Sequence, residues 1–359
     1  MKDTLTDANF PKTADQRVYH LGVRPGEVAN RIVTVGSPSR AKTISSYLDA
    51  QPEPFVLSSE RGFLTITGRY KGIPVSIVSI GMGAPNMDFF VREIRESVTG
   101  DLAIIRLGSC GGLGDVNPGT VVIPNASVEI SRNVDYFIDP ENCNDPAYRI
   151  SKQVPADKDL TEELVKCLSA TKPPTSTATV VSGVVNASAD SFYSSQGRQT
   201  SFPDHNEGLI EHLIEKVENL ATLEMETFHL FHLAACWTGR TALSSKLESP
   251  PLSTGPVTPV IAKPSSDYIQ TEALPQTAGS AAKPTASAAP VDPIVPNTVI
   301  KAAAIHMVFA SRKSRDFITP QQVEEAEHWA GKGVLDALVN TEIPKNRLHP
   351  SGNSVWDLV

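Results

Sequence analysis

Ile104-Ile105-Arg106-Leu107-Gly108-Ser109-Cys110-Gly111-Gly112-Leu113-Gly114 reads as a strand that runs into a glycine-rich turn. Its opening residues are apolar apart from Arg106, as expected of a strand covered on both faces. A guanidinium in such a run needs an anionic partner, from the protein or from a ligand. The glycines and Ser109 are expected to form a loop of amide donors at the strand's carboxyl end, where α/β folds bind ligands. A dinucleotide fingerprint would need a helix straight after the glycines. Asn117-Pro118-Gly119 supplies a turn instead, and another apolar run, Thr120–Ile123, follows.

Further short apolar runs lie at Ile32–Val35, Phe63–Thr67, Val75–Ile80, Ala103–Leu107, Val180–Val185 and Ala302–Phe309. Helical patterns separate them. Met87, Phe90, Val91 and Ile94 share one helix face. Thr319-Pro320-Gln321-Gln322 carries a capping residue, a proline suited to the first turn and a glutamine that closes a capping box. A helix is expected over Glu224–Cys236. The alternation predicts an α/β sandwich with a parallel or mixed sheet.

One stretch breaks the pattern. Between Ala242 and Asn297, ten of the chain's 28 prolines fall among serines, alanines and threonines. Such a composition forms neither helix nor central strand. Residues 243–297 are expected to be a disordered low-complexity insert within one domain spanning 1–359, because they interrupt a helix and a buried strand.

The 359 residues are 40% hydrophobic and 20% charged, and the net charge is −8. This composition suits a folded core, and an acidic chain is poorly matched to nucleic acid or anionic membranes. The four cysteines form no CxxC pair, and no long apolar span or secretory leader is apparent, so a reduced, cytoplasmic protein is expected.

Four segments could carry chemistry. In Val33-Thr34-Val35-Gly36-Ser37-Pro38-Ser39-Arg40 a strand ends at a glycine and an arginine opens the next helix, a cradle for an anion. Arg106 and Ser109 form the second. In Phe192-Tyr193-Ser194-Ser195-Gln196-Gly197-Arg198, an aromatic edge, an amide and a guanidinium could hold a flat polar heterocycle. In Glu224-Met225-Glu226-Thr227, two carboxylates could bind sugar hydroxyls over an apolar methionine, or simply favour a helix N-terminus. His229 and His232 follow, but their apolar neighbours argue against a metal site, and none is expected.

Taken together and in this order, GSPSR at 36–40, SIGMGAP at 79–85, RLGSCGG at 106–112, FYSSQGR at 192–198 and EMET at 224–227 resemble the nucleoside phosphorylase-I superfamily, and within it the uridine phosphorylases. The similarity runs from Tyr19 to Arg312, interrupted by the insert. It implies an α/β/α sandwich around a mixed sheet that partly closes into a barrel. It implies phosphorolysis of uridine, or of deoxyuridine or thymidine, with inorganic phosphate as co-substrate and no cofactor. Phosphate would be held by Gly36, Arg40, Arg106 and Ser109, with Arg61 reaching in from a neighbouring subunit. His20, also from the neighbour, would reach the ribose 5′-hydroxyl, and Glu224, Met225 and Glu226 would hold the sugar. Cys110, Gly111, Phe192, Gln196, Arg198 and Arg312 would surround the base. A homodimer at least is implied, with dimer and hexamer both left open.

The resemblance has departures. Cys110 stands where bacterial relatives usually carry threonine, which puts one phosphate or base contact in doubt. Gly62 replaces an acidic residue that some members use for an interfacial potassium ion, so that site is not expected. Purine enzymes of the superfamily place an aspartate in the loop that here reads Phe309-Ala310-Ser311-Arg312-Lys313. Its absence favours uridine. A purine nucleoside phosphorylase, a nucleosidase and a non-catalytic nucleoside-binding relative are the alternatives. Three phosphate-seeking arginines would gain a hydrolase nothing.

Overall fold

The computed structural model describes residues 5–239 and 297–357. Except for Asn297, the proline-rich insert lies outside the described residues. The chain begins with a small hairpin, β1 (Leu5–Thr6) and β2 (Lys12–Thr13). There follow β3 (Arg31–Val35), α1 (Pro38–Ser45), β4 (Phe55–Ser58), β5 (Leu64–Tyr70), β6 (Ile73–Ser79) and α2 (Ala84–Ser97). The middle of the chain gives β7 (Leu102–Gly112), β8 (Val121–Arg132), α3 (Val134–Ile138), β9 (Tyr148–Ile150), β10 (Val154–Pro155) and α4 (Lys158–Thr171). The rest forms β11 (Val180–Ala189), α5 (Leu209–Lys216), β12 (Leu220–Glu224), α6 (Thr227–Cys236), β13 (Ile300–Ser311) and α7 (Pro320–Asn340).

Strands β3 to β13 form one mixed sheet. Part of it closes on itself: β7 pairs with β13, β13 with β8, β8 with β11, β11 with β12, and β12 again with β7. The predicted sandwich with a partly barrel-like sheet is therefore present. One face is covered by α1, α4 and α7, with Ile44, Leu164 and Leu335 packed against Ile105 and Ile305. The other is covered by α2 and α6, whose Met87, Phe90, Ile94 and Phe231 meet Ile32 and Ile104. The predicted face of α2 is thus the buried one. Helix α7 begins with the predicted capping box, Thr319 and Gln322 bonding each other's backbone amides.

Two expectations are corrected. The segment Gly108–Gly112 is strand, not loop: β13 runs parallel to β7 as far as Ser311 opposite Gly112. Glycine has poor strand propensity, but here pairing and close packing decide. A Cβ on Gly112 would stand 2.3 Å from the Val116 carbonyl oxygen, so this backbone approach requires glycine. Helix α6 starts at Thr227 rather than Glu224, which is the last residue of β12.

The neighbours of β7 locate the site. Its first half pairs with β3, from Ala103 opposite Arg31 to Leu107 opposite Val35. Its end pairs with β12, at Gly111 and Gly112. Between these partners, residues 108–110 have a ladder partner only in β13. The sheet opens there, at the carboxyl end of β3, and such splits are where α/β folds place ligands.

Candidate active site

Arg106 is 3% exposed and sits just before the split. Its Nη2 donates to Glu226 Oε2 at 2.5 Å, and Glu224 Oε2 lies 3.8 Å from its Nε. Its Nε and Nη1 are buried and have no hydrogen-bond partner. Buried guanidinium N–H groups without an acceptor are costly, so they mark a place for one. Arg40, also buried, donates from Nε to Glu327 Oε1 at 2.8 Å and from Nη1 to the Leu107 carbonyl at 3.4 Å. Burial lowers its pKa, the Glu327 carboxylate opposes this, and the charge of Arg106 adds to the lowering. The two cations therefore lie near enough to repel, and a bound anion would relieve that repulsion. Arg40 is aimed by α1, whose start is capped by Ser37 and carries proline in its first turn. Gly36 precedes this cap and accepts a hydrogen bond from the Gly81 amide at 3.1 Å.

The SIGMGAP segment links the Gly36 turn to Glu226. Gly81 touches Gly36, and the Gly83 amide donates to Glu226 Oε1 at 2.5 Å. Burial pushes the Glu226 carboxyl up, the charge of Arg106 pulls it down, and Glu224 pushes it up again. Glu226 is thus fixed at both oxygens beside Arg106.

Glu224 is differently placed. Its carboxylate accepts from Asn186 Nδ2 at 2.8 Å, from Ser188 Oγ, from the Glu226 amide at 2.8 Å and from the Thr227 amide at 3.1 Å. A carboxylate has about four acceptor sites, and four protein donors fill them. The α6 N-terminus is anchored in this way.

Phe192, Gln196, Arg198 and Arg312 also come together. Arg198 lies 3.8 Å over the Phe192 ring and donates to Gln196 Oε1 at 2.5 Å. Arg312 Nη2 donates to the Gly197 carbonyl at 3.2 Å, and its side chain packs against Gly111. Burial and the neighbouring Arg312 charge lower the Arg198 pKa to about 10. Two guanidiniums and an amide therefore converge beside a half-exposed aromatic ring. Cys110 does not join them. It packs with Val122 and Val308, and burial pushes its thiol well up.

Arg61 and His20 lie together, each touching Tyr19. Arg61 donates to the Tyr19 hydroxyl and covers its ring at 4.9 Å. His20 stacks on Phe89 at 3.8 Å, and its Nδ1 lies 2.7 Å from Glu93 Oε1. No hydrogen bond joins either residue to Arg40, Arg106 or Glu226 of its own chain. His229 Nε2 pairs with Asp88 at 3.2 Å, and His232 stacks on Phe228. Among the described residues no cluster of three His, Cys, Asp or Glu is arranged to hold a metal ion. No described helix is long and apolar enough to cross a membrane.

Sequence reasoning missed Asn186, Ser188, Thr222, His306 and Glu327. The first four are polar side chains within otherwise buried strands, the same signal that singled out Arg106.

An opened mixed sheet with two buried arginines, one of them bonded to a fixed carboxylate, is an arrangement suited to an enzyme that takes an anion. The phosphorylase superfamily matches residues 30–242. A uridine phosphorylase of Thermococcus kodakarensis is 28% identical over 243 residues, covering 65% of this chain and 78% of the relative. A DeoD-type purine nucleoside phosphorylase of Roseobacter denitrificans is 29% identical over 241 residues, covering 67% and 90%. A solved structure from work on two uridine phosphorylases of the oomycete Phytophthora capsici is 35% identical, with a TM-score of 0.75, covering 95% of this chain and all of that one. The chain belongs to the phosphorylase superfamily and is a pentosyltransferase of the nucleoside phosphorylase kind.

Proposed function

We propose that this protein cleaves uridine with inorganic phosphate to give uracil and ribose 1-phosphate. The observation that carries the reading is the pair of N–H groups on buried Arg106 that have no hydrogen-bond partner, near enough to Arg40 for its charge to be felt there. Phosphate bound there accepts from both arginines, with Ser109 and the Gly36 turn beside it. Glu226 holds the ribose 2′- and 3′-hydroxyls over Met225, and Glu224 anchors the turn that presents it. A phosphate oxygen bonds to C1′ as the C1′–N1 bond breaks. The electron pair leaves on the base, which takes up a proton from water. No covalent enzyme intermediate is needed, because positioning the dianion beneath an oxocarbenium-like sugar lowers the barrier. Gln196, Arg198 and Arg312 stabilise charge developing on the uracil carbonyls.

Uridine is favoured over purine nucleosides by Arg312, which enters the base subsite from a loop with no aspartate at the purine-reading position. Arg61 and His20, which hydrogen-bond to neither arginine of their own chain's site, complete the site of a second copy, so the active unit is at least a dimer. The purine relatives favour a second reading, in which inosine is the better substrate. The test is loss of uridine, thymidine or inosine with and without phosphate. Phosphate-dependent release of uracil is expected. Equal turnover without phosphate would replace this reading with hydrolysis.

A further inference from the structure

His306 lies on β13 opposite Gly108 of β7 and is fully buried. It is the one polar side chain in the buried run Ala302–Val308. A Cβ on Gly108 would stand 3.4 Å from Arg106 Nε and 3.5 Å from His306 Cδ2, so both side chains lie over this residue.

The partners of the imidazole fix its proton. Thr222 Oγ1 donates to Asn186 Oδ1 at 2.9 Å, so a lone pair of that hydroxyl is left for His306 Nδ1, 3.4 Å away. Nδ1 therefore carries the hydrogen. Nε2 then accepts from the Thr227 hydroxyl at 2.8 Å. Asn186 donates onward to Glu224, and Glu224 accepts the Thr227 amide. His306, Thr222, Asn186, Glu224 and Thr227 close a ring of hydrogen bonds around the turn that carries Glu226. Two charged groups act on the imidazole, Arg106 and Glu226. Burial and the charge of Arg106 push its pKa down to about 3 against the pull of Glu226, so it serves as a neutral donor and acceptor.

We propose that His306 is a positioning residue for the sugar: through Thr222 and Thr227 it locks the Glu224–Thr227 turn and holds Glu226 between the Gly83 amide and Arg106. This rests on the assignment of Glu226 to the ribose hydroxyls. The ring hydrogen-bonds within β11, β12, β13 and the start of α6 and reaches Arg106 only through the Glu224 and Glu226 carboxylates, so its loss should loosen sugar recognition more than phosphate binding.

The experiment compares Thr227→Val, which removes only the hydroxyl donor, with Thr227→Ser, which restores it, and with His306→Leu. The ratio of kcat/KM for uridine to that for 2′-deoxyuridine is expected to fall about tenfold in Thr227→Val and His306→Leu, the scale of one weakened hydrogen bond to a charged group. Thr227→Ser should keep the wild-type ratio, and in Thr227→Val and His306→Leu the phosphate KM should change by less than the nucleoside ratio does. A purely structural role would lower both nucleosides together and leave the ratio intact, and that result overturns the proposal. Nitrogen NMR of labelled histidine in the wild type supplies a readout that needs no turnover. The His306 ring should remain neutral with hydrogen on Nδ1 down to about pH 5, below the ordinary histidine range. Hydrogen on Nε2, or protonation above that pH, would also overturn it. Wild-type protein that cleaves no nucleoside would refute the assigned reaction instead, while the NMR result still decides the ring.

Discussion

Glu224→Gln separates an anchor from a ligand. Every group facing this carboxylate is a donor: Asn186 Nδ2, Ser188 Oγ and the amides of Glu226 and Thr227. A glutamine must turn one oxygen into an NH2 group, which donates where an acceptor is needed. With the NH2 at the Oε2 position, the Glu226 amide loses its acceptor and the Thr227 amide keeps only its bond to Oε1 at 3.2 Å. With the NH2 at Oε1, the Ser188 hydroxyl can rotate to accept, but Asn186 cannot flip without losing the Thr222 hydroxyl on its own oxygen. In either orientation one buried hydrogen bond to this side chain is lost and a second is weakened, although Asn186 Nδ2 keeps Ser127 Oγ at 3.0 Å. One such loss costs about 1–3 kcal/mol, so the variant should be less stable by roughly that amount. Denaturant unfolding of both proteins in the same buffer measures this. The uridine KM should rise because the Glu226 turn loosens. A stability change within about 0.5 kcal/mol, the scale of an inert surface substitution, would refute the reasoning. Unchanged stability with lost preference for ribose over deoxyribose would make Glu224 itself the sugar ligand.

Other outcomes follow from the same geometry. Arg198→Ala should lower kcat for uridine by ~10²–10³, the usual effect of removing one donor to a developing anion. Its phosphate KM should hardly move, and a silent substitution would place Arg198 outside the site. Arg106→Ala and Arg61→Ala should each be inactive, and mixing them under subunit exchange should partly restore turnover through hybrid sites. Demonstrated exchange without recovery would put Arg61 outside any neighbour's site. Deleting residues 243–297 and bridging the ends with a short polar linker should leave the melting temperature within a few degrees. A Cβ on Gly239 would lie 2.8 Å from Asn297 Cα, so the chain re-enters beside the point where it leaves. A larger fall in melting temperature would show that the segment packs.

Much of this protein is written locally. Apolar runs and a capping box depend on neighbours within a turn or a strand, so Thr319–Gln322, the α2 face and most strand positions are legible from sequence. Arg106 is legible too, because a charge inside an apolar run contradicts its surroundings and demands a partner. The same test applied to Asn186 and His306 would have flagged them, but it could not have said that they bond the same turn. That fact depends on β11, β12 and β13 meeting around one barrel, and their pairing spans more than a hundred residues of chain.

Only the tertiary structure decided three matters. Gly108–Gly112 has loop-like composition, yet β13 on one side and β12 at the end hold it as strand. Glu224 and Glu226 are equivalent in sequence, two acids around a methionine, but four protein donors consume the first while the second is left beside Arg106. Cys110 is one residue from Gly111 and belongs to a different environment, because successive strand residues face opposite sides of a sheet. Composition and periodicity fix which segments are strands and which are helices. Which polar atom faces which is set by where distant strands come into register, and no local pattern encodes that distance.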